Sequence, residues 1–407
     1  MKMENDLLFG KIKELANKHY HGIKAIREHL HAHPELSFKE FKTAAFISSK
    51  LNEAGIPHQT GVAGTGIVGL ISGNNSSHEV ILLRADMDAL PIQEQNNVYY
   101  KSTCEGVMHA CGHDVHTSCL LGALYIIHEL KDELPVQVKF IFQPGEEVLP
   151  GGASLMIKEG ILQNPIVNKA VALHVFPSLE VGKIGFKSGM YMASTDEIYI
   201  TVNGKGGHAA MPDDYINPLL VASDLLLKLN SDFMLNKIHQ QKNDEFKTVP
   251  TVLAFGKIQG LGATNVIPEV VKIDGTFRTM NEKWRLKAHQ EILNCAKEIE
   301  NKWGAIINIQ IINGYPFLVN HDETTEKIKA IAENYLGKNN VAELPIRMTA
   351  EDFSYISQKV NSCFFRLGTG NKSKNITSGV HTPTFDIDEK SLEIGMTILA
   401  MSTFFND

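Results

Sequence analysis

The stretch from Met108 to His116 holds the densest group of side chains that could bind a metal ion. It reads Met-His-Ala-Cys-Gly-His-Asp-Val-His and stands just before a predicted helix. Thiolate and imidazole are ligands that zinc and similar ions prefer, and both bind in their deprotonated forms. Cys111 stands near the predicted helix N-terminus, where the helix dipole favours a thiolate. Cys111 and His113 are therefore the first candidate ligands.

Three further groups of polar side chains share one position, because each stands at the carboxyl end of a predicted strand. They are Asp86 and Asp88 after Glu79–Arg84, Glu146 and Glu147 after Pro135–Phe142, and His174 at the end of Lys169–Val175. Ligands bind at that edge in open α/β sheets. Adjacent carboxylates can divide the work, one binding a metal ion and the other transferring protons. Taken singly, each group also fits a solvated turn or a core side chain, but their joint position favours a metal site.

The elements that must position these groups alternate between helix and strand. Besides the strands above, the pattern predicts Gly66–Ile71 as a strand and Asp6–His31, Glu40–Ala54 and Val115–Leu130 as helices. Such alternation is typical of an α/β sheet with helices on both faces. The pattern resumes after residue 313 with a helix from Thr324, a strand at Cys363–Leu367 and a helix from Lys390.

The middle of the chain has a different order of elements. The pattern predicts, in order, strand Asp196–Val202, helix Pro218–Leu229, strands Thr251–Gln259 and Val266–Arg278, helix Glu282–Trp303 and strand Ala305–Ile312. This β-α-β-β-α-β order is that of a ferredoxin-like domain. We therefore predict a mixed-sheet α/β domain formed by residues 1–187 and 314–407, with an inserted ferredoxin-like α+β domain at residues 188–313.

Composition excludes several classes of protein. The 407 residues are 43% apolar and 21% charged, and the net charge is −7 with both signs spread along the chain. Such a balance offers no basic surface for nucleic acid or for an anionic membrane. No apolar stretch has the length of a signal peptide or a transmembrane helix. We therefore expect a cytoplasmic enzyme or binding protein that binds neither nucleic acid nor membrane.

The motifs together resemble the M20 metallopeptidase family, in the branch of hippurate hydrolases, auxin-conjugate hydrolases and N-acetyl-diaminopimelate deacetylases. The matching blocks are His31–Leu36, Leu83–Pro91, Met108–His116, Phe142–Glu147, Gly206–Pro212, Asn265–Pro268, Gly275–Arg278, Ala350–Phe353 and His381–Pro383. They extend over nearly the whole chain. The resemblance implies two divalent metal ions per chain, bound by Cys111, His113, Glu147, His174 and His381, with Cys111 bridging them. Mixed sulphur, nitrogen and oxygen ligands suit zinc, and manganese, cobalt and nickel are the other metals considered.

The resemblance also implies roles for residues outside the ligand set. Glu146 would be the general base, and Asp88 would orient a metal ligand. His208, which as a residue among glycines could equally belong to a turn, would polarise the substrate carbonyl. Asn265 and Arg278 are the candidates for binding a substrate carboxylate, since a guanidinium matches a carboxylate in shape. A structural ion pair is an equally good interpretation of Arg278.

The implied reaction is hydrolysis of the amide bond of an N-acyl amino acid, which yields a carboxylic acid and a free amino acid. An exopeptidase of the same fold is the first alternative, but the peptidase branches have His-x-Asp where this chain has Asp86-Met87-Asp88. A non-catalytic binding protein would be free to lose Glu146 or a ligand, and this sequence retains all of them. A thiol redox protein would need a Cys-x-x-Cys motif, which this sequence lacks. The inserted domain implies either a homodimer, with His208 reaching into the partner's site, or a monomer that supplies His208 itself.

Overall fold

The structure, a computed structural model, describes residues 2–74, 76–233, 246 and 248–404. It divides the chain into two compact units. The first comprises Met1–Gly189, Val319–Pro345 and Asp352–Asp407, and the second comprises Met190–Leu318 and Ile346–Glu351. Within the described ranges, no helix is long and apolar enough to cross a membrane.

The helices and strands follow one another along the chain with few long connections. The helices are α1 (Lys2–Ala32), α2 (Phe41–Glu53), α3 (His113–Glu129), α4 (Gly152–Lys158), α5 (Pro218–Phe233), α6 (Glu282–Trp303), α7 (Asp322–Leu336), α8 (Ser354–Ser357) and α9 (Lys390–Phe404). The strands are β1 (His58–Val62), β2 (Gly66–Ile71), β3 (Val80–Asp86), β4 (Gln137–Gln143), β5 (Lys169–Glu180), β6 (Ile184–Phe186), β7 (Gly189–Met192), β8 (Asp196–Asn203), β9 (Gly207–His208), β10 (Thr251–Gln259), β11 (Val266–Ile267), β12 (Val270–Thr279), β13 (Ile306–Asn313), β14 (Leu318–Asn320), β15 (Val341–Glu343) and β16 (Asn361–Gly370).

The first unit is built on a mixed sheet with strand order β1-β2-β4-β3-β5-β16-β6-β15. The central strands β4, β3, β5 and β16 run parallel. Strand β2 pairs antiparallel with β1 and β4, and β6 pairs antiparallel with β16 but parallel with β15. Every residue of β3 is buried, which is typical of a parallel strand covered on both faces. Alternate side chains of β3, from Ile81 to Ala85, join the core formed with α1, α3 and α9. This packing places the carboxyl ends of β3 and β4 beside the middle of β5, which continues to Glu180 instead of ending at Val175 as predicted.

The second unit contains an antiparallel sheet with strand order β10-β12-β8-β13, on which α5 and α6 pack. Inward side chains such as Ile198, Ile200 and Val202 form its core with Trp284 and Ile292 of α6. They alternate with exposed positions along β8, as one covered face requires. The observed order β8-α5-β10-β12-α6-β13 is the β-α-β-β-α-β order predicted from the sequence.

One predicted strand is wrong. The stretch Val266–Arg278 is not continuous, because it is divided into β11 and β12 on either side of Pro268. Proline lacks the N–H that a ladder needs, so a strand seldom continues through it. The two pieces have different partners: β11 pairs with β9, while β12 lies between β10 and β8. The sequence also does not predict the short strands β1, β6, β7, β9, β14 and β15.

Candidate metal centre

The Cys111 side chain lies at the turn that starts α3. Gly112 adopts a left-handed conformation (φ 81°) and precedes the first helical residue, His113. A Cβ atom at Gly112 would approach Cγ2 of Val175 to 2.6 Å, so both the conformation and the space require glycine. The turn buries Cys111 and His113 beside Val175, in the middle of β5.

Two groups of candidate ligand atoms share the sulphur of Cys111. The first combines Cys111, His113 and His174, and the second combines Cys111, Glu147 and His381; within each group the ligand atoms lie within 4.8 Å of one another. Sγ of Cys111 is 3.4 Å from Nε2 of His174 and 3.3 Å from Nε2 of His381. The structure thus brings together all five ligands expected from the sequence, with the thiol between the two groups.

The donor atoms of these groups fit divalent cations. Nε2 of His113 is buried without a hydrogen-bond partner, and such an atom is costly unless a ligand satisfies it. Hydrogen bonds with Cys111 and then Glu147 raise the pKa of His381 to about 10, which reflects an excess of negative charge around it. One thiol, three imidazoles and one carboxylate are together a donor set suited to zinc and related ions.

Two opposing effects act on the charge of Cys111. Burial, followed by the charge of Glu147, raises the pKa of the Cys111 thiol. The position at the start of α3 favours the thiolate instead. A bound divalent cation would also favour the thiolate, since a coordinating thiol is deprotonated.

Asp88 lies behind the candidate ligands, where it was expected to orient one of them. Its Oδ1 is 3.1 Å from Nδ1 of His113, and its Oδ2 accepts hydrogen bonds from the Glu147 backbone N–H at 3.0 Å and the Ser37 hydroxyl at 2.7 Å. The bond to Nδ1 directs Nε2 of His113 into the centre. Asp88 thereby positions the imidazole of His113 and the backbone of Glu147 at the same time.

Glu146 lies beside the ligands and is buried. Its carboxylate, His113 and Glu147 form another compact group of atoms within 4.8 Å. Oε1 of Glu146 accepts a hydrogen bond of 3.3 Å from the backbone N–H of Asp352. The adjacent carboxylates predicted to divide their roles thus occupy different environments, since only Glu147 belongs to the group with Cys111 and His381.

Sequence reasoning missed a buried chain of polar groups that holds His174. Asp86 binds Nη1 of Arg84 at 2.7 Å and Nδ1 of His116 at 2.6 Å. Nε2 of His116 accepts from the Val175 N–H at 3.0 Å, and the Val175 carbonyl binds Nδ1 of His174 at 2.8 Å. Because this series of hydrogen bonds occupies Nδ1 of His174, Nε2 of the same ring is directed at Cys111. Asp86 and His116 belong to the recognised blocks, but only their pairing reveals this role.

The remaining candidates lie in the second unit. His208 is in β9 opposite Val266, and the N–H of Ala209 binds the carbonyl of Asn265 at 3.0 Å, so His208 and Asn265 are brought close together. Arg278 is half-buried in β12. Its Nη1 is buried without a hydrogen-bond partner, and within the described part of the chain it forms no ion pair. The structural ion pair considered for Arg278 is therefore absent from that part.

A mixed α/β fold with thiol, imidazole and carboxylate ligands at its carboxyl edge defines a metal-dependent hydrolase. The chain belongs to peptidase family M20/M25/M40, whose family model matches residues 82–402. Among solved structures, a Bacillus subtilis protein described as a dinuclear metal binding peptidase of the M20 family is 29% identical, with a TM-score of 0.80 over 95% of this chain and 98% of that one.

The relatives differ in the reaction that their names state. The N-acetyl-L-cysteine deacetylase of Bacillus subtilis is 35% identical over 90% of this chain and 84% of its own length. Thermostable carboxypeptidase 2 of Saccharolobus solfataricus is 33% identical over 97% of this chain and 95% of its own length. Family membership therefore establishes a hydrolase and leaves the substrate to be argued from the site.

Proposed function

We propose that the protein is a two-metal amidohydrolase that cleaves the amide bond of N-acyl amino acids. The observation that carries the proposal is the position of the Cys111 sulphur between two groups of ligand atoms, with the Glu146 carboxylate beside them. Cys111, His113 and His174 would hold one divalent ion, and Cys111, Glu147 and His381 the other. Bound ions would supply positive charge that acidifies water and polarises a carbonyl oxygen.

Glu146 is proposed to handle the protons of the reaction. Its carboxylate accepts a proton from the attacking water and later delivers it to the departing amine. The backbone N–H of Asp352 donates a hydrogen bond to Oε1 of Glu146, which holds the carboxylate beside the candidate ligands. Burial keeps bulk water from competing for the proton.

His208 is proposed to donate a hydrogen bond to the oxyanion that forms on the acyl carbon. The backbone N–H of Ala210 donates to Nδ1 of His208 at 3.1 Å, so Nδ1 acts as an acceptor and the ring proton is assigned to Nε2. The ring is exposed, which makes that N–H available. Arg278 and Asn265 are proposed to bind the substrate carboxylate, since the guanidinium has an unpartnered buried nitrogen.

The choice of N-acyl amino acids over peptides rests on the site and on the relatives. Asp86 stands where the peptidase branches have a ligand histidine, and its two oxygens are already bonded to Arg84 and His116. The centre therefore relies on Cys111 instead. The name of the Bacillus subtilis relative states removal of an acetyl group from an N-acyl amino acid, and we propose the same class of substrate here.

An exopeptidase is the second candidate, because the Saccharolobus solfataricus relative is named a carboxypeptidase. A panel of N-acetyl, N-benzoyl and indole-acetyl amino acids, assayed beside unmodified dipeptides, separates the two. We expect higher kcat/KM for at least one acyl class than for every dipeptide. Faster cleavage of the dipeptides would overturn the proposed substrate class while retaining the metal chemistry.

We further propose that two copies pair through the second unit. Within the described residues, β13 is at the edge of its sheet, and Ile306 and Ile312 of that strand are 61% and 37% exposed. An edge strand with exposed apolar side chains needs protection, and a two-fold pair would supply it. In such a dimer His208 would serve the partner subunit's metal centre.

A further inference from the structure

The loop that carries Glu146 is anchored on both sides by buried carboxylates. The backbone N–H of Gly145 donates to Oε1 of Glu40 at 2.9 Å, and the backbone N–H of Glu147 donates to Oδ2 of Asp88 at 3.0 Å. Glu146 therefore lies between two anchored peptide groups. Asp88 also contacts His113, whereas Glu40 belongs to none of the candidate metal-binding groups of the described residues.

The Glu40 carboxylate is completely buried, so hydrogen bonds must compensate for its loss of solvation. The side chain is 0% exposed, and burial raises its pKa. A buried carboxylate is costly unless hydrogen bonds satisfy it. Oε1 also accepts from the Phe38 backbone N–H at 2.8 Å, and Oε2 accepts from the Thr65 hydroxyl at 2.7 Å. All these donors lie in loops or at a strand start, so Glu40 joins three separate segments.

The two loops that Glu40 connects each contain a residue in the left-handed conformation. Gly145 is left-handed (φ 57°), and so is Phe38 (φ 62°), an uncommon state for a residue with a side chain. A Cβ atom at Gly145 would approach the Phe38 ring to 2.4 Å. The two loops thus pass within van der Waals contact, and Glu40 binds a backbone N–H of each. Its carboxylate fixes the direction in which the chain enters Glu146.

We propose that Glu40 is a positioning residue for the general base Glu146. This inference rests on the proposed role of Glu146 and adds that the base needs an anchored backbone to reach the reacting water. Glu40 itself touches neither the ligand groups nor solvent. Its hydrogen bond is to the peptide group between Pro144 and Gly145, so its effect reaches Glu146 through Gly145.

Three substitutions separate geometry from charge. Glu40→Gln keeps the length and an accepting oxygen, and its amide can donate to Thr65, so kcat should stay near the wild-type value. Glu40→Asp keeps the charge but withdraws the carboxylate by one methylene, and Glu40→Ala removes it. For these two we expect kcat to fall by about 10–100-fold, with unchanged KM and metal content. Loss of activity in Glu40→Gln with full activity in Glu40→Asp would overturn the inference.

Glu35→Ala is the matched control. Glu35 lies in the same connection, but its carboxylate binds the N–H and hydroxyl of Thr43 at 2.9 and 3.0 Å, so it does not contact the Glu146 loop. We expect this variant to lose stability and keep kcat. If Glu35→Ala lost as much kcat as Glu40→Ala, the loss would come from general destabilisation of this connection and not from the contact between Glu40 and the Glu146 loop. If Glu40→Ala does not fold, the comparison of Asp with Gln decides the question.

Amide hydrogen exchange tests the anchor without any turnover. In chelator-treated protein, a peptide spanning residues 142–147 should exchange faster in Glu40→Asp than in wild type, and at the wild-type rate in Glu40→Gln. Equal rates in all three would contradict the anchor. Activity in Glu146→Gln would refute the proposed function, whereas an inactive Glu146→Gln beside a fully active Glu40→Asp would refute this inference alone.

Discussion

Nε2 of His381 lies 3.3 Å from the sulphur of Cys111, although the two residues are 270 positions apart in the chain. Because the same sulphur also faces His174, removing it should disturb both ion sites. We expect Cys111→Ser to bind both ions more weakly and chelation to abolish activity, as measured by elemental analysis and turnover. Cys104→Ser, at a half-exposed free thiol, is the control. Full metal content in Cys111→Ser would contradict the bridging position.

The adjacent carboxylates should respond differently to loss of charge. Glu146→Gln removes the base and keeps its shape, so we expect normal metal content and a kcat lower by about 10²–10⁴-fold. Glu147→Gln removes a candidate ligand whose Oε1 is 3.3 Å from Nε2 of His381, so we expect metal to be lost. Parallel elemental analysis and kinetics check both results, and the reverse pattern would show that the two roles are exchanged.

Recognition of the substrate carboxylate should depend on Arg278. Hydrogen bonds to charged groups contribute about 1.5–3 kcal/mol, so N-benzoylglycine should exceed its C-terminal amide in kcat/KM by about 10–100-fold. Arg278→Gln should reduce this ratio by lowering the value for the acid alone. A ratio of one in the wild-type enzyme would show that no α-carboxylate is recognised.

Mixing two inactive variants tests the proposed dimer. Glu146→Gln lacks the base and His208→Ala lacks the oxyanion donor. If His208 acts in the partner subunit's site, a mixed dimer contains one site with both groups intact, and activity should return. Each variant incubated alone is the control, and subunit exchange is verified with tagged chains. Inactive mixtures despite exchange would place His208 in its own subunit's site.

The pH dependence of stability should report on Asp196 in the second unit. Burial opposes ionisation of Asp196, but hydrogen bonds from His289 at 2.7 Å and from Arg285 outweigh it and lower its pKa below 3.8. A lowered pKa stabilises the fold above the unfolded value of 3.8, and that stabilisation is lost as pH falls further.

Replacing Asp196 by Asn removes one of the two carboxylates that bind Arg285 and leaves Glu282 as the other, which should cost about 1.5–3 kcal/mol at pH 7. The difference from wild type should narrow as the pH falls towards 3.8 and below it, because wild-type Asp196 then takes up a proton. Urea unfolding at a series of pH values measures this difference, and Lys257→Ala, which removes an exposed ion pair with Asp274, is the control. If the difference in unfolding free energy between wild type and Asp196→Asn did not change with pH, the lowered pKa of Asp196 would be contradicted.

The sequence by itself determined the regular elements around the centre and the candidates for its chemistry. The predicted bounds of β2, Gly66–Ile71, and of α6, Glu282–Trp303, are those observed. Apolar periodicity reports these elements because each buries one face or both faces against a core. The ligand candidates could be named because carboxylates and His174 follow predicted strands, Cys111 and His113 precede a predicted helix, and the family resemblance adds His381.

Only the tertiary structure decided how those groups pair. Local periodicity contains no information about which distant loop meets which strand end, so the position of Cys111 between His174 and His381 could not be derived from spacing. The hydrogen bonds of Asp86 with Arg84 and His116 could not be derived from the sequence for the same reason. Glu40, on a connection far from Glu146 in sequence, received no role at all, because its contact with the base loop arises when two left-handed turns pack against each other.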